Sequence, residues 1–223
     1  MTPPLPCVPG LERVVFTAAT GTRDVLGDPG PLPAGWTAVA FTDGGTHPAW
    51  RVLPLPAGDL GPKRATSTVK LLPHRVFPDA RFSLWLDANC NVGCDLDALV
   101  TDVLADADLA LHPHPERDCI YDEALACIEL GRDTPATICA QVVRYAQLGF
   151  PARAGLVAGG VILRRHTAAV AALNEDWWAE VAAGSCRDQL SFNYVAWRRG
   201  IAVARFPSNV WRGPLFGWRP HAA

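Results

Sequence analysis

Arg81-Phe82-Ser83-Leu84-Trp85-Leu86-Asp87-Ala88-Asn89 is an apolar, aromatic-bearing run that stops abruptly on two small oxygen-bearing side chains. It reads as a buried strand that delivers Asp87 and Asn89 to its own C-terminal end. In open α/β sheets that edge is where ligands bind, and residues i and i+2 project the same way while the extended geometry continues. Two converging oxygen ligands suit a hard divalent cation that also holds a phosphate. Taken alone, an Asx turn after a strand is the preferred reading of so short a pattern. A calcium loop is excluded. Counted from Asp87, the sixth position is Val92 instead of Gly and the twelfth is Ala98 instead of Glu, and a strand instead of a helix precedes the loop.

The 223 residues, 49% of them hydrophobic, are enough for one substantial domain with its own core. A net charge of -2, from Lys+Arg 20 against Asp+Glu 22, gives no global basic field for nucleic acid or an anionic membrane, so phosphate recognition has to be local. Met1-Thr2-Pro3-Pro4-Leu5-Pro6 lacks a basic n-region and an apolar h-region, and no run approaches the ~20 apolar residues of a membrane span. The expected location is the cytoplasm, including the inner membrane surface. Seven cysteines form no C-x-x-C pair. Cys90 and Cys94 with His112 or His114 would make a zinc site, and buried thiols acting as small apolar residues are the preferred account.

Outward from the anchor, Arg13 to Ala18 reads as a buried first strand followed by the small-residue loop Ala19 to Asp24. Thr17 and Ala18 stand where backbone N–H groups can approach a nucleotide. No G-K-[ST] follows, so this is not a Walker loop. Trp36 to Asp43 makes a second buried strand ending on Asp43, which is placed to accept hydrogen bonds from a base or ribose or to form an Asp-Gly turn. Leu60 to Leu72 reads as a helix carrying Lys63, Arg64 and Lys70, a cationic rim for a diphosphate or a set of solvated charges.

Further along, Asp95 opens a short helix and Leu109 to His112 is another strand, running into the polar loop His112 to Asp118. Helices follow over Cys119 to Leu130 and over Pro135 to about Leu148. Asp118 caps the first of them in this reading, and Arg117 pairs with Glu123 or Asp122. Gly159-Gly160 precede a short strand ending at His166, and paired glycines there imply close backbone approach to a ligand or a neighbouring strand. Thr167 to Ala183 and Arg187 to Trp197 are the last helices, the latter opening on Arg187-Asp188-Gln189. Alternating strands and helices favour an α/β domain with a largely parallel sheet.

The blocks Lys63-Arg64 to Lys70, Leu84 to Asp87, His112 to Glu123, Gly160 to His166 and Arg187-Asp188-Gln189-Leu190-Ser191-Phe192, in this order, resemble a glycosyltransferase-like domain family long catalogued as a domain of unknown function, with plant mucilage- and turgor-related and many bacterial members. The resemblance covers the chain from about Arg13 to His221. It implies a single-domain, GT-A-like fold over residues 13–221 after a Pro-rich lead of residues 1–12: a Rossmann-type mixed, mostly parallel central sheet flanked by helices. It also implies a nucleotide-diphospho-sugar donor and a glycan or other hydroxyl acceptor, in surface polysaccharide synthesis if the source is bacterial. The first strands would hold the nucleotide, giving Thr17, Ala18, Asp43, Lys63, Arg64, Lys70 and Gly160 as donor-binding candidates. An Asp-x-Asp-like motif would hold manganese or magnesium on the diphosphate. Asp87 takes its first acidic position, Asn89 stands in place of a second carboxylate, and His221 resembles the late His that completes the metal sphere in some such enzymes.

Glycosyl transfer needs the leaving diphosphate neutralised, the sugar held and the acceptor hydroxyl oriented. Asp87, Asn89 and Lys63 or Arg64 serve the first need in this reading. Asp188, Gln189 and Arg117 serve the others, with Asp188 as the base if the reaction inverts stereochemistry. The alternatives are a nucleotide-sugar hydrolase or nucleotidyltransferase, and a non-catalytic sugar-binding domain using Trp177, Trp178, Trp211 and Trp218 as stacking faces.

Overall fold

The computed structural model describes residues 4–21, 25–56, 60–208 and 213–220. In chain order the elements are β1 (Arg13–Ala19), β2 (Trp36–Thr42), β3 (Arg51–Pro54), α1 (Gly61–Leu71), α2 (Pro73–Val76), β4 (Phe82–Leu86), β5 (Cys90–Val92), α3 (Leu96–Val103), β6 (Leu109–Pro113), α4 (Ile120–Glu129), α5 (Pro135–Gln147), β7 (Val157–Arg165), α6 (Ala168–Ala183), α7 (Gln189–Arg199), β8 (Ala204–Arg205) and β9 (Phe216–Trp218). A seven-stranded sheet in the order β3-β2-β1-β4-β7-β6-β8 forms the centre. Strands β1 to β4 run parallel, β6 and β8 pair in parallel, and β7 lies antiparallel between β4 and β6. This is the mixed, mostly parallel sheet flanked by helices that the sequence implies.

Both sheet faces are apolar, as buried parallel strands require. Phe16, Phe41, Trp85 and Ile162 pack with Leu173, Trp177 and Val181 of α6 and with Phe192 and Val195 of α7. On the opposite face Val15, Ala40, Leu84 and Leu163 pack with Leu96 and Leu99 of α3 and with Phe206 and Phe216. Trp177 and Trp178 are 1% and 4% exposed, which makes them core residues and removes them as sugar-stacking faces. Trp211 lies outside the described residues.

Local chemistry sets several boundaries. Asp95 accepts from the backbone N–H of Asp97 and Ala98 and starts α3, Thr134 accepts from Thr137 N ahead of Pro135 in α5, and Gly200 ends α7 in the left-handed region at φ 62°. Asp118 does not cap α4. The cap position belongs to Cys119, without a side-chain bond, and Asp118 lies 3.7 Å from Arg153 instead. Among the described residues no three His, Cys, Asp or Glu side chains converge as a metal-binding group, so the zinc alternative has no support, and His112 Nδ1 is occupied by the Ser208 carbonyl oxygen at 2.7 Å. No described helix is long and apolar enough to cross a membrane.

Three features direct the chain toward one sheet edge. The pairing of β6 with β7 jumps from Leu111 opposite Ile162 to His112 opposite Ala158, so the Gly159–Gly160 segment leaves that ladder and bows toward β4. There the Gly160 carbonyl oxygen accepts Asp87 N at 2.8 Å. The small antiparallel pair β5 and β9 brings the C-terminal segment back over the same edge, with Cys90 opposite Trp218.

Candidate active site

Asp87 follows the last residue of β4, at the C-terminal edge of the parallel strands. The chain turns at once: Cys90 N donates to the Asp87 carbonyl oxygen at 2.8 Å. Asp87 and Asn89 therefore do not continue the extended geometry in which i and i+2 point together, and they hold different partners. Asp87 Oδ1 accepts the Trp85 indole N–H at 2.8 Å. Asn89 Nδ2 donates to the Arg219 carbonyl oxygen at 2.8 Å, and its Oδ1 faces Cys90 Sγ at 3.7 Å.

The nearest charge to Asp87 comes from α1. The last turn of that helix turns Ser67, Thr68 and Lys70 inward, an unusually polar buried face. Lys70 Nζ lies 2.6 Å from Asp188 Oδ2, 3.8 Å from Asp87 Oδ1 and 5.4 Å from the centre of the Trp85 ring. Asp188 is the N-cap of α7, its Oδ1 accepting Gln189 N at 2.9 Å, while its carbonyl oxygen accepts Trp177 Nε1 at 2.8 Å. A Cβ on Gly159 would stand 3.3 Å from Lys70 Nζ and 3.7 Å from Asp188 Oδ2, so a glycine leaves this ion pair its room.

The three groups titrate apart. Burial alone would lower the Lys70 pKa, but Asp188 and then Asp87 outweigh it and hold the ammonium above its ordinary range. For Asp188, burial is outweighed by Lys70 and Arg187, and the carboxyl is held below the usual carboxylate range. Asp87 goes the other way: desolvation, working against Lys70 and the Trp85 hydrogen bond, moves its pKa upward, an effect that solvent limits because its side chain is 43% exposed. Beneath them Arg164 is fully buried near the Trp177 ring, its three guanidinium nitrogens have no hydrogen-bond partner among the described residues, and burial lowers its pKa to about 9.

Two cavities meet at Asp87. The first, of about 500 Å³, is bounded by Ala18, Ala19, Thr20, Lys63, Lys70 and Asp188. The second, of about 650 Å³, is bounded by His114, Arg117, Glu123, Gly160, Gln189 and Trp218. Asp87, Arg132 and Arg187 line both and form the boundary between them. Glu123, 3% exposed, centres the wall of the second cavity. It accepts Arg117 Nε at 2.6 Å and the Cys127 thiol at 3.4 Å, and lies 3.8 Å from His114 Nε2.

The residues singled out in the sequence divide accordingly. Ala18, Lys63, Lys70, Asp87 and Asp188 border the first cavity, and Asp87, Asn89, Arg117, Gly160 and Gln189 the second. Thr17 is fully buried within β1 and lines neither; the neighbouring residues Ala18 to Thr20 form that wall. Asp43 also stands back, accepting Gly21 N at 2.7 Å and so tying the β1 loop to the end of β2. Arg64 turns away from the cleft and donates from Nε to the Val181 carbonyl oxygen and from Nη2 to that of Gly184, closing the C-terminal end of α6. His221 lies outside the described residues.

Asp188 as the base meets two obstacles, a lowered pKa and a lysine and a backbone N–H already on its oxygens. Glu123 had no signal beyond pairing with Arg117, because an acid on a helix is ordinarily a solvated one. Nor do the described residues around Asp87 make a divalent-metal site: the donors are one carboxylate and the Asn89 amide oxygen, and the next carboxylate is taken by a lysine whose positive charge stands beside Asp87 as well.

The model of the TOD1/MUCI70 glycosyltransferase-like domain matches residues 42–211. The chain belongs to that family. It is 33% identical over 159 residues to probable hexosyltransferase MUCI70 of Arabidopsis thaliana, covering 66% of this chain and 27% of that protein. It is 27% identical over 161 residues to alkaline ceramidase TOD1 of the same plant, covering 66% of this chain and 35% of that protein. The matched region thus spans about a third of the length of these curated relatives. Among solved structures, the apo bifunctional glycosyltransferase WbbM superposes with a TM-score of 0.52 at 15% identity, over 88% of this chain and 38% of that one, and shares the fold.

Proposed function

We propose that this domain transfers a sugar from a nucleotide-diphospho-sugar to a hydroxyl acceptor, with the donor in the first cavity and the acceptor in the second. The observation that carries the reading is the meeting of the two cavities at Asp87, at the C-terminal edge of the parallel strands, where α/β sheets take their ligands. The first cavity has the composition a diphosphate needs: Lys63, Lys70, Arg132 and Arg187 against Asp87 and Asp188 leave net positive charge beside the small-residue loop after β1. Membership of a glycosyltransferase-like family supports the same reaction class.

In this reading the bond between the anomeric carbon and the diphosphate oxygen breaks with its electron pair on that oxygen, and the cationic lining takes up the growing charge. The acceptor oxygen forms the new bond to the anomeric carbon and its proton passes to Asp87, which lines both cavities, whereas the Asp188 oxygens are already taken by Lys70 and by Gln189 N. Arg117, held by Glu123, and the Trp218 ring would position the acceptor. Among the described residues a divalent metal has no adequate donor set, and no step depends on one.

The ceramidase name of one relative suggests amide hydrolysis of a lipid. The second cavity carries His114, Glu116, Arg117, Glu123 and Arg187 beside Leu130 and Trp218, and this density of charged groups favours a polar acceptor. The test is a panel of nucleotide-sugars incubated with the domain and polysaccharide or oligosaccharide acceptors, read as release of nucleoside diphosphate. Acceptor-dependent release from one donor supports transfer. Release that ignores the acceptor indicates a hydrolase, and stabilisation by free sugars alone indicates a sugar-binding domain.

A further inference from the structure

The place beside Asp87 that a divalent cation would take is held by an ammonium. Lys70 Nζ sits between Asp87 and Asp188, 3.8 and 2.6 Å from their oxygens, on the wall of the cationic cavity. A metal brought against Asp87 would meet this fixed positive charge at close range. The ammonium itself has capacity left: of its three N–H donors, one goes to Asp188 at hydrogen-bond distance, and Asp87 lies beyond that distance. Gly159, by lacking a Cβ, keeps the space around Nζ open.

Arg187 supplies the second positive group. It lines both cavities, and its buried Nε has no acceptor among the described residues. The neighbouring Gln189 Nε2, from a residue that also lines the second cavity, is likewise a buried donor without an acceptor among them. Such donors are costly to leave unmade, and the oxygens of an anion in the cleft would satisfy them.

We propose that Lys70, seconded by Arg187, is the cation on the donor's diphosphate, and that donor binding and departure of the nucleoside diphosphate need no divalent metal. This rests on the reading of the first cavity as a donor site. The competing role for Lys70 is that of a buried structural ion-pair partner with no contact to ligand.

Titration calorimetry of the full chain with uridine and guanosine diphosphates and their hexose esters, in EDTA and then in manganese, separates these. The dissociation constant should agree within about two-fold between the two buffers. Lys70→Met combined with Asp188→Asn removes the buried pair together, which preserves folding better than breaking it. That variant should bind about ten-fold more weakly or worse than both the native chain and Asp188→Asn alone, so that the difference between the two variants reads the lysine. An affinity raised about ten-fold by manganese overturns the proposal, as does native affinity in the folded double variant. If no nucleotide binds in either buffer, the donor-site reading itself fails, which is a different outcome from metal-dependent binding.

Discussion

Lys70 Nζ and Asp188 Oδ2 lie 2.6 Å apart with side chains only 11% and 15% exposed, and this contact joins the last turn of α1 to the N-cap of α7. Removing one partner leaves the other charged and buried, which costs about 3–5 kcal/mol, while replacing both is far less damaging. Lys70→Met is therefore expected to lose stability on that scale in urea unfolding, and Lys70→Met with Asp188→Asn to recover most of it. Equal losses in the two variants would show that the residues do not act as a pair.

Arg64 is expected to matter for stability and not for ligand. Its guanidinium donates to the Val181 and Gly184 carbonyl oxygens at the end of α6, charge-assisted bonds placed where a helix leaves acceptors open. Arg64→Ala should cost about 1–2 kcal/mol in urea unfolding and leave nucleotide affinity within about two-fold of native. A weakened nucleotide affinity without loss of stability would return Arg64 to the cleft.

Glu123 tests the second cavity. It holds Arg117 in place and touches none of the groups that bound the first cavity alone. Glu123→Gln should raise the KM for the acceptor by about ten-fold while donor affinity stays within about two-fold. A change confined to the donor would contradict the division of the cleft into donor and acceptor sides.

On the acid side, His166 sets an early loss of stability. Burial first, and then the charges of Arg164 and His74, push its pKa down to about 4, while its Nε2 keeps a 2.8 Å contact with Ser83 Oγ. The fold favours the neutral ring, so this contribution is complete above the unfolded value of about 6.5 and is lost as pH falls toward about 4. Asp188, with its pKa lowered, adds stability that persists above the ordinary carboxylate range and is lost at still lower pH. Urea midpoints of native and His166→Gln protein between pH 8 and pH 4, spanning roughly that window, should converge as pH drops. Parallel curves would assign the acid loss elsewhere.

The sheet was readable because β1, β2 and β4 are apolar runs that end on small polar residues, and the helices because Asp95, Thr134-Pro135 and Gly200 mark their ends. The direction of β7 was not, since a buried strand reads alike in either sense and only its pairing with β4 and β6 reveals the reversal. The glycines at 159 and 160 signalled a close approach without naming Lys70 and Asp87 as its targets. Lys63 and Arg64 look equivalent in sequence, yet a step of about 100° around the helix sends one to the cleft and the other to α6. Lys70 passed for a rim cation because a buried polar helix face carries no hydrophobic period. Asp87 and Asn89 lost their shared direction to a turn that a strand pattern cannot show.

The central claim is that Asp87 stands between bound donor and bound acceptor and takes the acceptor's proton. Its most direct test is the rate of acceptor-dependent nucleoside diphosphate release by Asp87→Asn, measured beside the variant's donor affinity. An amide keeps the shape and removes the basicity, and it also removes a negative charge from beside the diphosphate. The account predicts donor affinity equal to native or tighter, with turnover lower by about 100-fold or more. Turnover within about three-fold of native at unchanged donor affinity would contradict it.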